Sequence, residues 1–254
     1  MKITSVLTLV AITLALTQAA YRIRNGKAIQ NWNDVNFPYI VLLSGGGTSC
    51  TGSIANIQTI FTAAHCICDM GKNLLRRVKI NTIHTWESNP EVNILERHAN
   101  PNYTDCTLPK KTPSGFDSAV VIVEKIPSFT EKMAAIFTYK MDPKAGTKVI
   151  MAGYGLMRGG DGNQLRMAYG IVMEKCGVSY FKNDPICVES ENKERIAHVR
   201  NGDSGGPLID FENQMTVYGF VSGHYERMGF LDVEDAVSAY ASVHRSRKFL
   251  QSYL

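Results

Sequence analysis

A serine hydroxyl is a poor nucleophile at neutral pH. Attack on an acyl carbon needs an imidazole within hydrogen-bond reach and a buried carboxylate to hold that imidazole's tautomer. All three residue types occur here in telling settings. Ser204 stands in Gly202-Asp203-Ser204-Gly205-Gly206-Pro207-Leu208 and His65 in Thr62-Ala63-Ala64-His65-Cys66. Asp117 lies at the head of the apolar run Ala119-Val120-Val121-Ile122. Many serines in glycine-rich turns are turn formers and nothing more. The glycines at 202, 205 and 206, however, let the backbone approach a substrate closely and turn its amides inward. The N–H groups of Gly202 and Ser204 are therefore expected to form an oxyanion hole. A rival acid, Asp105, sits between Thr104 and Cys106 in a polar stretch and reads as loop, so Asp117 is the expected partner of His65.

Short β-rich runs must position these residues: 39–44, 53–61, 119–123, 147–152, 164–173 and 215–222. Gly-, Pro- and Asn-bearing turns such as Gly45-Gly46-Gly47 separate them, and no βα alternation is present, which predicts an antiparallel all-β barrel or sandwich. Helical spacing of Val243, Phe249, Leu250, Tyr253 and Leu254 predicts one terminal helix over about 243–254. The stretch 127–131 reads as a linker.

At the other end, Lys2, the apolar run Val6–Leu16 and small residues at 17 and 19 read as a secretory signal over 1–19, too short to span a bilayer. The mature protein is expected to be secreted, extracellular and soluble, with no membrane partner. Six cysteines in an oxidising compartment favour disulfides over metal thiolates, yet they allow fifteen pairings and spacing does not choose among them. The formal charge of +4 is scattered, which argues against nucleic-acid binding. Asn102-Tyr103-Thr104 is a glycosylation sequon. Gly153-Tyr154-Gly155 lacks the third glycine and the βαβ unit of a dinucleotide loop. His198 and His224 lack a third ligand at motif spacing, so no metal or other cofactor is expected.

The order His65, Asp117, Ser204 and the strings around them resemble the trypsin/chymotrypsin-like family of secreted serine endopeptidases, from about Ile23 to the C-terminus. Arg22-Ile23-Arg24-Asn25-Gly26 resembles the family's activation site. The resemblance implies two six-stranded barrels, about 23–130 and 131–254, with His65 and Asp117 on the first and Ser204 on the second. It implies a short propeptide, 20–22, cut after Arg22, and an Ile23 ammonium that pairs with a buried Asp203. It also implies Cys50–Cys66 and Cys176–Cys187 disulfides, and a Cys68–Cys106 bridge between two loops flanking one side of the cleft. The expected partners are protein or peptide substrates and protein protease inhibitors of a monomeric enzyme.

Departures from the family gather around the specificity pocket. The residue six before Ser204, aspartate in trypsin-type enzymes, is His198; the residue four before, normally a half-cystine, is Arg200. The family's Ser-Trp-Gly strand reads Ser222-Gly223-His224. Preference for Arg or Lys at the cleaved bond is therefore not expected. Two readings follow: an active endopeptidase of unusual specificity, or a weakly active or inactive homologue that binds other proteins. Divergent members of this kind occur among arthropods such as mites, and this sequence resembles them.

Overall fold

The computed structural model describes residues 23, 25–68, 74–84, 87–107, 112–155, 164–228 and 233–254. The expected signal, the propeptide with Arg22, and Arg24 lie outside the described residues. Among the described residues fourteen strands follow in chain order: β1 (Lys27–Ala28), β2 (Ile40–Gly45), β3 (Thr48–Ile54), β4 (Thr59–Thr62), β5 (Arg77–Lys79), β6 (Glu91–Ala99), β7 (Ala119–Val123), β8 (Ile136–Phe137), β9 (Lys148–Gly153), β10 (Arg166–Val172), β11 (Ile186–Ser190), β12 (Pro207–Asp210), β13 (Thr216–Met228) and β14 (Val233–Ser242). Among the described residues one short α-helix, α1 (Arg247–Gln251), follows the last strand.

The strands build two closed six-stranded antiparallel barrels. The first runs β2-β3-β4-β7-β6-β5. The second runs β9-β10-β11-β14-β13-β12 and closes because β12 pairs β9, with β1 and β8 added at its margin. Closure removes the unpaired edges that open sheets must otherwise protect. Inward-facing Val41, Leu43, Ile60, Val78 and Val121 fill the first barrel, while the next residue of β4, Phe61, turns the other way to pack on Phe137 and Phe220; Val149, Met151, Val188, Leu208 and Tyr240 lie in a second cluster. Polar ties join the halves, among them those of Tyr154 and Asn100. Tyr154 donates its hydroxyl to the Thr82 carbonyl at 2.6 Å and its backbone N–H to Thr51 Oγ1 at 3.1 Å. Buried Asn100 donates to Ser118 Oγ at 3.0 Å and to Ser246 Oγ at 3.2 Å.

Two local expectations need correction. The run 53–61 is a hairpin and not a single strand, because Ala55 N–H bonds to the Thr59 carbonyl at 2.8 Å while Asn56 Oδ1 accepts from Gln58 N–H at 2.9 Å. An asparagine side chain that replaces a ladder bond in this way turns the chain. The terminal helix is shorter than its apolar stripe. Residues 243–246 form turns, and Ser242 Oγ captures the Arg245 N–H at 2.9 Å before helical bonding begins.

Candidate active site

Strand pairing brings His65 to Asp117. β4 and β7 run antiparallel with Thr62 opposite Ala119, so the residues just after β4 and just before β7 emerge at the same end of the first barrel. His65 occupies a tight turn over Ala64–Cys66, anchored by buried Ala63 and Ala64 and by the Cys50–Cys66 disulfide to β3. Asp117, fully buried, accepts the His65 backbone N–H on Oδ1 at 2.9 Å and faces the ring Nδ1 with Oδ2 at 2.6 Å. With the Nδ1 proton held there, the Nε2 lone pair of a neutral ring is left to act as a base.

Ser222 completes the carboxylate's shell. Its Oγ donates to Asp117 Oδ2 at 2.6 Å and accepts the Ser114 N–H at 2.9 Å. The β13–β14 register shifts between Val221 and Gly223, leaving Ser222 as the extra residue of a bulge, a device that re-aims a side chain. Ser222, expected among the pocket residues, thus serves the acid. Gly223 faces Pro113, whose Cγ would lie 2.7 Å from an added Cβ, so the family's tryptophan has no room there. The rival acid Asp105 is also buried, but it accepts from Lys182 Nζ at 2.8 Å and from the Thr112 N–H at 3.2 Å, whereas Asp117 takes both the ring and the backbone bond of His65.

The Ser204 turn is clamped against the first barrel. Thr51 N–H donates to the Ser204 carbonyl at 2.8 Å, and Thr51 Oγ1 donates to that of Gly202 at 3.1 Å. Gly205, at φ +76°, lies so close that a Cβ would sit 2.0 Å from Thr62 Oγ1 and 2.8 Å from Ala63 N. Only glycine fits that approach, and it seats the turn beside the segment leading to His65. The amides alternate in use: those of Asp203, Gly205 and Gly206 donate to the carbonyls of Arg200, Val221 and Asp203. Those of Gly202 and Ser204 meet no protein acceptor among the described residues.

Behind this turn Asp203 is fully buried. Its Oδ2 accepts the Arg200 N–H at 2.9 Å, and its Oδ1 has no hydrogen-bond partner among the described residues. Burial pushes its carboxyl up to about 7, against the pull of the Arg200 and Gly155 amides and the Arg166 charge. Ile23 is also fully buried, in the same apolar cluster as Tyr240, whose hydroxyl feels the Asp203 charge.

His198, Arg200 and His224 converge as well, on a carboxylate that sequence reasoning missed. His198 Nε2 lies 2.9 Å from Glu226 Oε2, and Arg200 Nη1 bonds the same oxygen. The His198 ring has no solvent exposure and lies 5.6 Å, centre to centre, from the His224 ring. Burial, and then the charge of the neighbouring His224, lowers His198 to about 4; burial and then Arg200 lower His224. Burial would raise Glu226, but Arg200 and His198 outweigh it and hold the carboxyl low. Period two along β13 was the available signal, since His224 and Glu226 share a face. Val199 N–H donates to Ser238 Oγ at 3.2 Å, which ties the His198 segment to β14.

All six cysteines are paired: Cys50–Cys66, Cys68–Cys106 and Cys176–Cys187. Asn102 of the sequon is exposed.

A family model described as Trypsin matches residues 27–243. The chain is 27% identical to the cercarial protease of Schistosoma mansoni over 92% of this chain and 90% of that protein. It is 28% identical to trypsin alpha of Drosophila melanogaster over 68% of each. It is also 23% identical to the serine protease Hayan of Drosophila melanogaster, over 69% of this chain and 30% of that one. With the family model covering most of its length, two closed six-stranded barrels, and His65 brought to Asp117 at one end of the first, this chain belongs to the trypsin family of serine proteases.

Proposed function

We propose that the protein is a secreted serine endopeptidase that hydrolyses peptide bonds through Ser204, His65 and Asp117 and a covalent acyl-enzyme. The observation that carries this reading is the alternation of amides around Ser204. In a turn where the neighbouring N–H groups are used internally, the two left without a protein acceptor, Gly202 and Ser204, belong to the residues expected to meet an oxyanion. Ser204 Oγ attacks the carbonyl carbon and its proton passes to His65 Nε2. The carbonyl oxygen becomes an oxyanion held by the two amides, and the imidazolium is stabilised by Asp117. His65 then protonates the leaving amine as the C–N bond breaks. Water, deprotonated by the same nitrogen, hydrolyses the acyl-enzyme and frees Ser204.

Cleavage between Arg22 and Ile23 is the proposed activation step. The buried Asp203, with one oxygen unbonded, is the acceptor for the new Ile23 ammonium. Substrate selection is proposed to exclude Arg and Lys, because the Glu226 charge is already taken up by Arg200 and His198.

One observation favours the second reading, a weakly active homologue that binds other proteins: the His198 and His224 rings lie 5.6 Å apart, centre to centre, and on the proposed pocket assignment they would obstruct a substrate side chain. Labelling with a fluorophosphonate distinguishes the two, since it needs nucleophile and base but little of the pocket. Protein beginning at Ile23 should label, and Ser204→Ala should not. Absence of labelling in folded wild type would sink the enzymatic reading.

A further inference from the structure

Two histidines and a carboxylate face one another between the segment that leads to the Ser204 turn and β13. One ring nitrogen each of His198 and His224 and one carboxylate oxygen of Glu226 all lie within 4.8 Å of one another. These residues come from separate places: His198 from the bend before the Ser204 turn, His224 and Glu226 from alternate positions of β13. We propose that His198, His224 and Glu226 form a zinc-binding site in the cleft of this protease.

The donor set supports that ion. Two imidazoles and one carboxylate, with a further position open, are a recurring three-ligand arrangement for Zn²⁺. His198 Nδ1 is buried and has no hydrogen-bond partner among the described residues, although buried polar nitrogens are ordinarily satisfied. Tetrahedral zinc with bonds of about 2.0–2.1 Å needs ligand atoms roughly 3.3 Å apart. Rotation of His224 and Glu226, the partly exposed members, closes the difference while His198 stays fixed by packing.

Arg200 opposes and assists at once. Its charge repels any cation nearby, yet its bond to Glu226 Oε2 holds that carboxylate in place, as outer partners of metal ligands do. The repulsion excludes ions held by charge alone, such as calcium or magnesium. Zinc differs because its bonds to imidazole nitrogen are strong in their own right. A bound ion would fix His224 across the entrance, so zinc would close the cleft to substrate side chains. The site itself does not depend on the reading of Ser204 as a nucleophile, because occupancy is measured directly.

The test is calorimetric titration of zinc chloride into chelator-treated full-length protein, with cobalt(II) as a spectroscopic stand-in. One equivalent should bind, and cobalt should give the intense visible bands of a four- or five-coordinate nitrogen and oxygen site. His224→Ala and Glu226→Gln should each weaken zinc binding by at least about tenfold and dim the cobalt bands. Glu226→Gln is isosteric and can still accept from Arg200, so it guards against a trivial loss of fold in the histidine variant. Absence of stoichiometric binding would overturn the proposal. So would binding that survives both substitutions but is lost in His65→Ala, which places the ion on the other side of the cleft.

Discussion

Asp117 grips His65 twice, through the ring nitrogen at 2.6 Å and through the backbone amide at 2.9 Å. The second bond fixes the turn that carries the ring, so the carboxylate sets both the tautomer and the place of the imidazole. Asp117→Asn should keep the fold while offering an N–H where the ring must donate. The expected loss in kcat is about 10⁴-fold with KM little changed. Ser222→Ala removes one charge-assisted bond to the same oxygen, worth about 1.5–3 kcal/mol, and should cost roughly ten- to a hundredfold in kcat. Steady-state kinetics on a mixed peptide library reads both, and an Asp117→Asn enzyme of wild-type kcat would remove the carboxylate from the mechanism.

On the proposed reading, Glu226 would bear on specificity through its partners. A carboxylate in the cleft would attract a cationic substrate side chain, but Arg200 and His198 already share one of its oxygens. Wild-type protein should therefore show no preference for Arg or Lys at the cleaved bond. Arg200→Ala releases a charge-assisted bond of about 1.5–3 kcal/mol, so kcat/KM for Arg and Lys substrates should rise about ten- to a hundredfold relative to alanine substrates. Profiling on matched peptides decides it. Strong cleavage after Arg by the wild type would show that Arg200 does not neutralise this wall.

How much of this was readable in the residues follows their physical range. The Ser204 and His65 strings are local, because a tight turn and a close backbone approach demand particular glycines and alanines within a few positions. The paired barrels were less legible. β6 buries only Val92 and Ile94 well along Glu91–Ala99, so composition hides it, and its place in the barrel comes from pairing with β5 and β7. Glu226 was hard to find for another reason. Its partners lie twenty-six and twenty-eight residues away, and only the alternation of β13 puts it beside them. The bulge that sends Ser222 to Asp117 leaves no mark in composition either.

The Cys68–Cys106 disulfide spans thirty-eight residues and joins the turn after His65 to the loop that carries Asp105. In the chain-entropy account, closing a loop of that length stabilises by about 4 kcal/mol. Cys68→Ser with Cys106→Ser should lower the unfolding free energy by about that much, and should raise KM more than it lowers kcat, since the bridge stiffens a wall and touches neither Asp117 nor Ser204. Urea unfolding and kinetics on the double variant test both parts. A change under about 1 kcal/mol, small on the scale of single-site effects, would refute the stabilising role.

Asp203 supplies a pH signature of the uncleaved chain. Its carboxyl is raised from 3.8 to about 7 in the folded protein, chiefly by burial. Between those values the native state holds a proton that the unfolded chain has lost, so stability falls as pH rises through the window. Three pKa steps at about 1.4 kcal/mol each put the full loss at up to about 4 kcal/mol. Cleavage after Arg22 would place the Ile23 ammonium beside the carboxylate, draw its pKa down and abolish that loss. Urea unfolding of an Arg22→Gln chain, compared with Ile23-started protein across the same window, isolates the effect because other groups contribute alike to both. The uncleaved chain should lose stability more steeply with rising pH. Parallel curves would mean that Asp203 does not change partner on cleavage, and the proposed activation step would fail with it.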